Sequence, residues 1–171
     1  NEADWTTRWV TKPDKDGPTY KATELFNILS EAAWKCGDPG VQYDTTINNW
    51  HTCPNSGRIN ASNPCSEYMF LDDSACNLAS INLMRFRNSD GTFDAERFMK
   101  ACRLIFIAQE IIVDRAGYPT RRIALNSHKY RPIGLGYTNL GSLLMVSGLP
   151  YDSDEARGLC SVLTALMHGT A

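Results

Sequence analysis

No stretch of this sequence is apolar for long enough to cross a bilayer. The best run, LIFIAQEIIV at 104–113, is half the required length and carries Gln and Glu, where a spanning helix needs about twenty residues. No signal peptide is visible either. A basic excess is also missing: 17 Lys and Arg stand against 19 Asp and Glu, a net charge of -2. The cations are scattered among the anions, with no stripe for a nucleic-acid backbone and no polybasic anchor for a membrane surface. Internal repeats and low-complexity tracts are absent. These absences argue against direct DNA or RNA binding and against a membrane protein, and lead to the expectation of a soluble, cytoplasmic chain. What is present suits a buried core: 171 residues, 43% hydrophobic, with four Trp and six Phe, about the size of one domain.

Six cysteines would suggest a disulfide framework in a small secreted protein. Here Cys36, Cys102 and Cys160 fall within helical patterns, and a chain this apolar does not need staples. Those three read as small buried hydrophobes.

Helices flank a polar, turn-rich centre. Residues 1–21 read as a polar, Pro-containing surface segment. Residues 22–36, ATELFNILSEAAWKC, carry Leu25, Ile28, Leu29, Ala32 and Ala33 at helical spacing, and Gly37 is a natural stop. From Val41 to Asn63 no period is sustained, which predicts long loops with short strand pieces. Such length is suspicious in a compact domain unless it is functional. EYMFLDD at 67–73 has the composition of a buried strand. Residues 84–171 read as mainly helical. In the clearest helix Asp94 caps, Phe98, Ala101, Cys102, Ile105, Ala108 and Ile112 form one face, and Gly117 and Pro119 end it. A further helix is expected over 138–147, and another after YDSDEA, capped by Asp152 or Ser153. His128 and His168 read as surface or capping histidines.

Two motifs fail on spacing. GLGYTNLG has glycines at 134, 136 and 141, but a G-x-G-x-x-G needs one at 139, which is Asn139. No clear strand precedes it, so those glycines are expected to serve tight helix packing. His51, Cys53, Cys65 and Cys76 are of metal-ligand type, yet HTC and PCSEY each lack a residue of the zinc-deaminase pattern. Nor do they form the close pairs of a structural zinc site. A zinc-binding module on these four remains the alternative of another class.

The remaining chemistry is that of a cysteine. A reactive thiol needs exposure on a constrained loop and a proton-handling neighbour. Pro64 constrains the backbone before Cys65, and Glu67 supplies the neighbour. Were the segment extended, Asn63, Cys65 and Glu67 would point to one side, presenting an amide, a thiol and a carboxylate to one pocket. Spacing leaves open a turn in which Asn63 caps and Glu67 is solvated.

NPCSE followed by CNLASINL resembles the finger loop of ribonucleotide reductases. The longer text GDPGVQYDTTINNWHTCPNSGRINASNPCSEYMFLDDSACNLASINL resembles the adenosylcobalamin-dependent branch, and the similarity continues through RPIGLGYTNLGSLLMVSGLPYDSDEA, covering about residue 22 to the end. The resemblance implies an α/β fold: an internal piece, 1–171, of a ten-stranded α/β barrel with a central cysteine-bearing loop, inactive by itself. It implies that Cys65 is the thiyl that takes the 3′ hydrogen of a ribonucleoside di- or triphosphate. Glu67 would be the base for the 3′ hydroxyl, and Asn63 would position the ribose. Cys76 would belong to a reducing dithiol whose partner lies outside this chain, served by a thioredoxin-like external dithiol. Adenosylcobalamin is the implied cofactor, no metal ligand is assigned, and a homodimer is left open for the full-length enzyme. The large subunit of the metal-radical branch, which receives its radical from a second protein, is the alternative within the family.

Overall fold

The computed structural model describes residues 3–171, which divide between Met69 and Phe70 into two compact units. Each unit is a separate assembly of helices and a short sheet.

The first unit opens with an antiparallel hairpin, β1 (Asp4–Trp9) and β2 (Lys12–Lys21). The expected surface segment, 1–21, is from Asp4 on a paired ribbon. Its residues are almost all exposed, so the ladder hydrogen bonds hold it without an apolar face that the sequence could betray. Helix α1 (Ala22–Cys36) begins directly after β2 and ends where Gly37 turns left-handed at φ 77°, a conformation that glycine adopts without a Cβ penalty. None of its residues is buried, and Cys36 is exposed rather than the core residue expected. Its thiol lies 3.1 Å from the Ala32 carbonyl. The expected long loop contains a short helix, α2 (Asp44–Asn49), and a single 3-10 turn at Pro54–Ser56.

The second unit is built on a parallel pair, β3 (Asn77–Asn82) and β4 (Ile133–Thr138), in register from Asn77↔Ile133 to Asn82↔Thr138. The strand expected at 67–73 does not form; only Met69 makes an isolated bridge, to Ser62. Met69, Phe70 and Leu71 are consecutive rather than alternating, and beyond the first unit Leu71 is buried while the Phe70 ring meets Tyr130 edge-on at 5.4 Å. Between the strands run α3 (Ala95–Arg115) and α4 (Arg121–Tyr130). Asp94 caps α3 by accepting from the Arg97 N–H at 2.9 Å. The buried stripe of α3 is Phe98, Cys102, Gln109 and Val113, so Ala108 and Ile112 of the expected face are exposed. Helix α5 (Leu140–Val146) and helix α6 (Asp154–Thr170) follow, the latter capped by Ser153, whose Oγ accepts from Ala156 N at 3.1 Å.

GLGY lies within β4 and does not follow a strand. A Cβ on Gly134 would strike the Leu78 side chain across the pair, whereas Gly141 faces open space, so one glycine serves close strand approach and the other does not serve helix packing. The core gathers Ile81, Leu83, Phe86, Phe98, Cys102, Leu143, Leu163 and Met167. Phe98 meets Phe86 and Phe93 edge-on at 5.3 and 5.5 Å, the geometry that aromatic quadrupoles favour. Among the described residues the sheets stay two-stranded and no barrel closes. No helix there is long and apolar enough to cross a membrane.

Candidate functional site

Cys65 sits at the tip of a narrow loop closed at its base by the antiparallel bridge between Ser62 and Met69. The tip is a turn, with the Ser66 N–H donating to the Asn63 carbonyl at 3.0 Å. Asn at the first position and Pro at the second favour such a turn, the proline by presetting φ. The extended arrangement is therefore overturned in favour of the turn. Ser66 completes the tip in the left-handed region at φ 66°. The Cys65 thiol is free and exposed.

The turn brings Asn63 and Glu67 together, and its Asn carboxamide works at both ends. Its Oδ1 accepts from the Tyr68 N–H at 3.0 Å, while its amide donates to the Glu67 carboxylate. That bond, with a smaller contribution from the Glu67 backbone N–H, holds the Glu67 carboxyl below its ordinary value. An ionised carboxylate can accept a proton. The site thus holds an exposed thiol and a solvent-facing carboxylate that accepts from a neighbouring amide.

The approach to the loop is anchored by α2. Asn48 mimics a strand partner for Ile59, accepting its N–H and donating to its carbonyl, both at 3.0 Å. Ile59 is buried, and the Asp44–Arg58 ion pair lies alongside, exposed.

His51 is committed elsewhere than to a metal. Its Nδ1 accepts from the Cys53 N–H at 3.3 Å, which leaves the proton on Nε2, 3.1 Å from the Gly57 carbonyl. Among the described residues no three His, Cys, Asp or Glu side chains gather into a possible metal cluster, so the zinc-module alternative lacks its ligand set. His128 is a capping residue in the last turn of α4, its Nδ1 2.7 Å from the Ala124 carbonyl. His168 lies in the last turn of α6.

Cys76 belongs to the second unit, immediately before β3, half-buried and free of any disulfide. Its thiol hydrogen is directed at the Asn77 carbonyl, at 3.6 Å. The backbone on either side is clamped. The Ala75 N–H donates to Ser127 Oγ at 3.2 Å, and Gln109 of α3 donates from Nε2 to the carbonyls of Asn77 (3.2 Å) and Gly134 (2.8 Å). Asn77 returns a bond from Nδ2 to the Gln109 carbonyl, also at 3.2 Å. Gln109 and Ser127 are buried. Neither is singled out by the sequence reading, although Gln109 stands seven residues after Cys102, on the same stripe of the helix.

The family described as "Ribonucleotide reductase, barrel domain" matches residues 3–171. The chain is 72% identical over 166 residues to a "Vitamin B12-dependent ribonucleotide reductase" of Rhodopirellula baltica, covering 96% of this chain and 16% of that protein. It is 55% identical over 154 residues to one of the same description from Streptomyces coelicolor, covering 88% and 16%. A "Vitamin B12-dependent ribonucleoside-diphosphate reductase" of Mycobacterium tuberculosis is 39% identical over 142 residues, covering 83% and 20%. The chain therefore spans 16% of the length of the first two of these relatives.

Proposed function

The chain belongs to the ribonucleotide reductase barrel-domain family, and from that premise we propose that it is an internal part of an enzyme that reduces ribonucleotides to 2′-deoxyribonucleotides by radical chemistry. One observation carries the reading: the turn at 63–66 leaves the Cys65 thiol exposed and brings the Asn63 amide onto the exposed Glu67 carboxylate.

In this reading a thiyl on Cys65 takes the 3′ hydrogen of the ribose, becoming a thiol and leaving the radical on C3′. The Glu67 carboxylate accepts the proton of the 3′ hydroxyl, which eases loss of the 2′ hydroxyl as water. Asn63 orients the ribose and donates to the Glu67 carboxylate. Cys76 and a partner thiol outside this chain supply two electrons and two protons as they form a disulfide, the two-electron couple that the net reduction requires. Hydrogen then returns from Cys65 to C3′. Atoms and electrons balance as ribonucleotide plus dithiol giving deoxyribonucleotide, disulfide and water.

The relatives' names favour the cobalamin branch over a large subunit fed by a second protein. Adenosylcobalamin, when bound, supplies the radical that initiates the cycle. The exposure of Cys65 suits it in one respect, since the thiol is open to approach at the loop tip. None of the described residues is assigned as its contact. A thioredoxin-like dithiol would restore the active-site pair, a homodimer is the proposed assembly, and the cytoplasm is the proposed compartment. The parallel β3–β4 pair would be part of the family's ten-stranded barrel, with the Cys65 loop at its centre.

The test uses the full-length enzyme. Cys65→Ser is expected to bind substrate but lose turnover, because an O–H bond is too strong to exchange hydrogen with a carbon radical. Cys76→Ser is expected to keep substrate-dependent radical formation and lose multiple turnover. Appreciable deoxynucleotide from Cys65→Ser, or wild-type repeated turnover from Cys76→Ser, overturns the corresponding role.

A further inference from the structure

We propose that Gln42 is a positioning residue for the Cys65 turn, holding the thiol in place through Ser62 and Ser66. Gln42 lies between α1 and α2. Its Nε2 is 3.0 Å from Ser62 Oγ and 2.7 Å from Ser66 Oγ, one amide hydrogen for each. The sense of these bonds follows from the Ser62 proton, which is given to the Asn63 carbonyl at 2.8 Å. The Ser62 oxygen is then left to accept. The same carbonyl takes the Ser66 N–H that closes the turn, at 3.0 Å. These links make a closed ring: the Gln42 amide, the Ser62 hydroxyl, the Asn63 carbonyl, Ser66, and back to Gln42. Pro64 and Cys65 are the residues it encloses.

The turn needs such a brace for two reasons. Ser66 stands at φ 66°, a region that a residue with a Cβ enters reluctantly, and relaxation to negative φ would swing the peptide that joins it to Cys65. The Cys65 side chain is itself exposed, so its position depends on the backbone of the turn rather than on packing. Hydrogen transfer between sulfur and carbon demands close placement, and a misplacement of about 1 Å costs roughly 10²-fold in rate.

The inference rests on the reading of Cys65 as the reacting thiol. In the full-length enzyme, Gln42→Ala is expected to lower kcat by roughly 10- to 100-fold, with the substrate KM and the melting temperature unchanged. Exchange of the Ser66 amide hydrogen should quicken. Gln42→Glu keeps the shape but offers no amide donors, and should behave as the alanine variant does. Because Gln42 acts through the two serines, Gln42→Ala should add nothing in a Ser62→Ala/Ser66→Ala background. A wild-type kcat in Gln42→Ala, or a further full loss in the serine-less background, overturns the proposal. Normal turnover by Cys65→Ser would sink the reading of the thiol instead, and the brace would then stand or fall on the Ser66 amide exchange alone.

Discussion

Asn63 uses one carboxamide for two purposes, accepting from Tyr68 to close the loop and donating to Glu67, which lowers its carboxyl below the ordinary value. The sign of the second effect is definite. A carboxyl whose folded value lies below its unfolded one contributes stability above the unfolded value and loses it as pH falls through the folded value. Asn63→Ala should therefore move the Glu67 titration upward, toward the ordinary carboxyl value, and the acid limb of the kcat/KM profile should move to higher pH with it. Carboxyl-carbon NMR of Glu67 together with the pH–rate profile checks this, and an unmoved titration would mean that the Asn63 bond does not lower the carboxyl value. The turn was visible in the sequence as one of two arrangements, because Asn-Pro is a turn initiator. Its outcome depended on a hydrogen bond between backbone groups that no side-chain pattern encodes. Cys36 misled for a related reason: helical spacing shows which residues share a face, not whether anything covers that face.

Caps and stops were the readable parts of the helices. Asp94, Ser153 and Gly37 act locally, through their own backbone neighbours, so their chemistry predicts α3, α6 and the end of α1. Helix α4 falls within the stretch read as mainly helical, but its bounds were not legible, since RRIALNSHKY buries only Ser127. Strand β3 was hidden in NLASIN, whose inward positions are Asn77, Ala79 and Ile81, an alternation in which only one member is a strong strand former. Gln109 ties the beginnings of β3 and β4 together through two backbone carbonyls while its own Oε1, like Asn77 Oδ1, is buried with no donor among the described residues. Gln109→Leu keeps the volume and removes the donor from both carbonyls. The expected cost is about 1–3 kcal/mol, read as faster hydrogen exchange of the β3 and β4 amides in the full-length protein. Unchanged protection would show that the clamp contributes nothing to the strand pair.

That no barrel closes among the described residues has a physical explanation in what the strands lack. Parallel sheets are covered on both faces in folded proteins, yet among the described residues β3 and β4 pair only with each other, and Leu78 is 67% exposed in the second unit. In the first unit α1 buries nothing, leaving Phe26, Ile28 and Trp34 exposed. Such surfaces require cover, and the relatives are long enough to supply it, this chain being 16% of the first two. In the proposed reading strand count belongs to the full-length protein, beyond the reach of local pattern in one segment. In the same reading the source of the radical belongs to the full-length protein as well. An initiator bound beside Cys65 by the same polypeptide needs no second subunit and no oxygen, whereas a radical received from another protein needs that protein present. The complete enzyme, purified alone and kept anaerobic, is therefore expected to reduce ribonucleotides when given adenosylcobalamin and a dithiol, and to be inert without the cobalamin. Deoxynucleotide assays with and without each component decide it. Activity that ignores cobalamin and demands a radical-bearing partner would move the enzyme to the two-subunit branch, leaving the turn chemistry of Asn63, Cys65 and Glu67 in place.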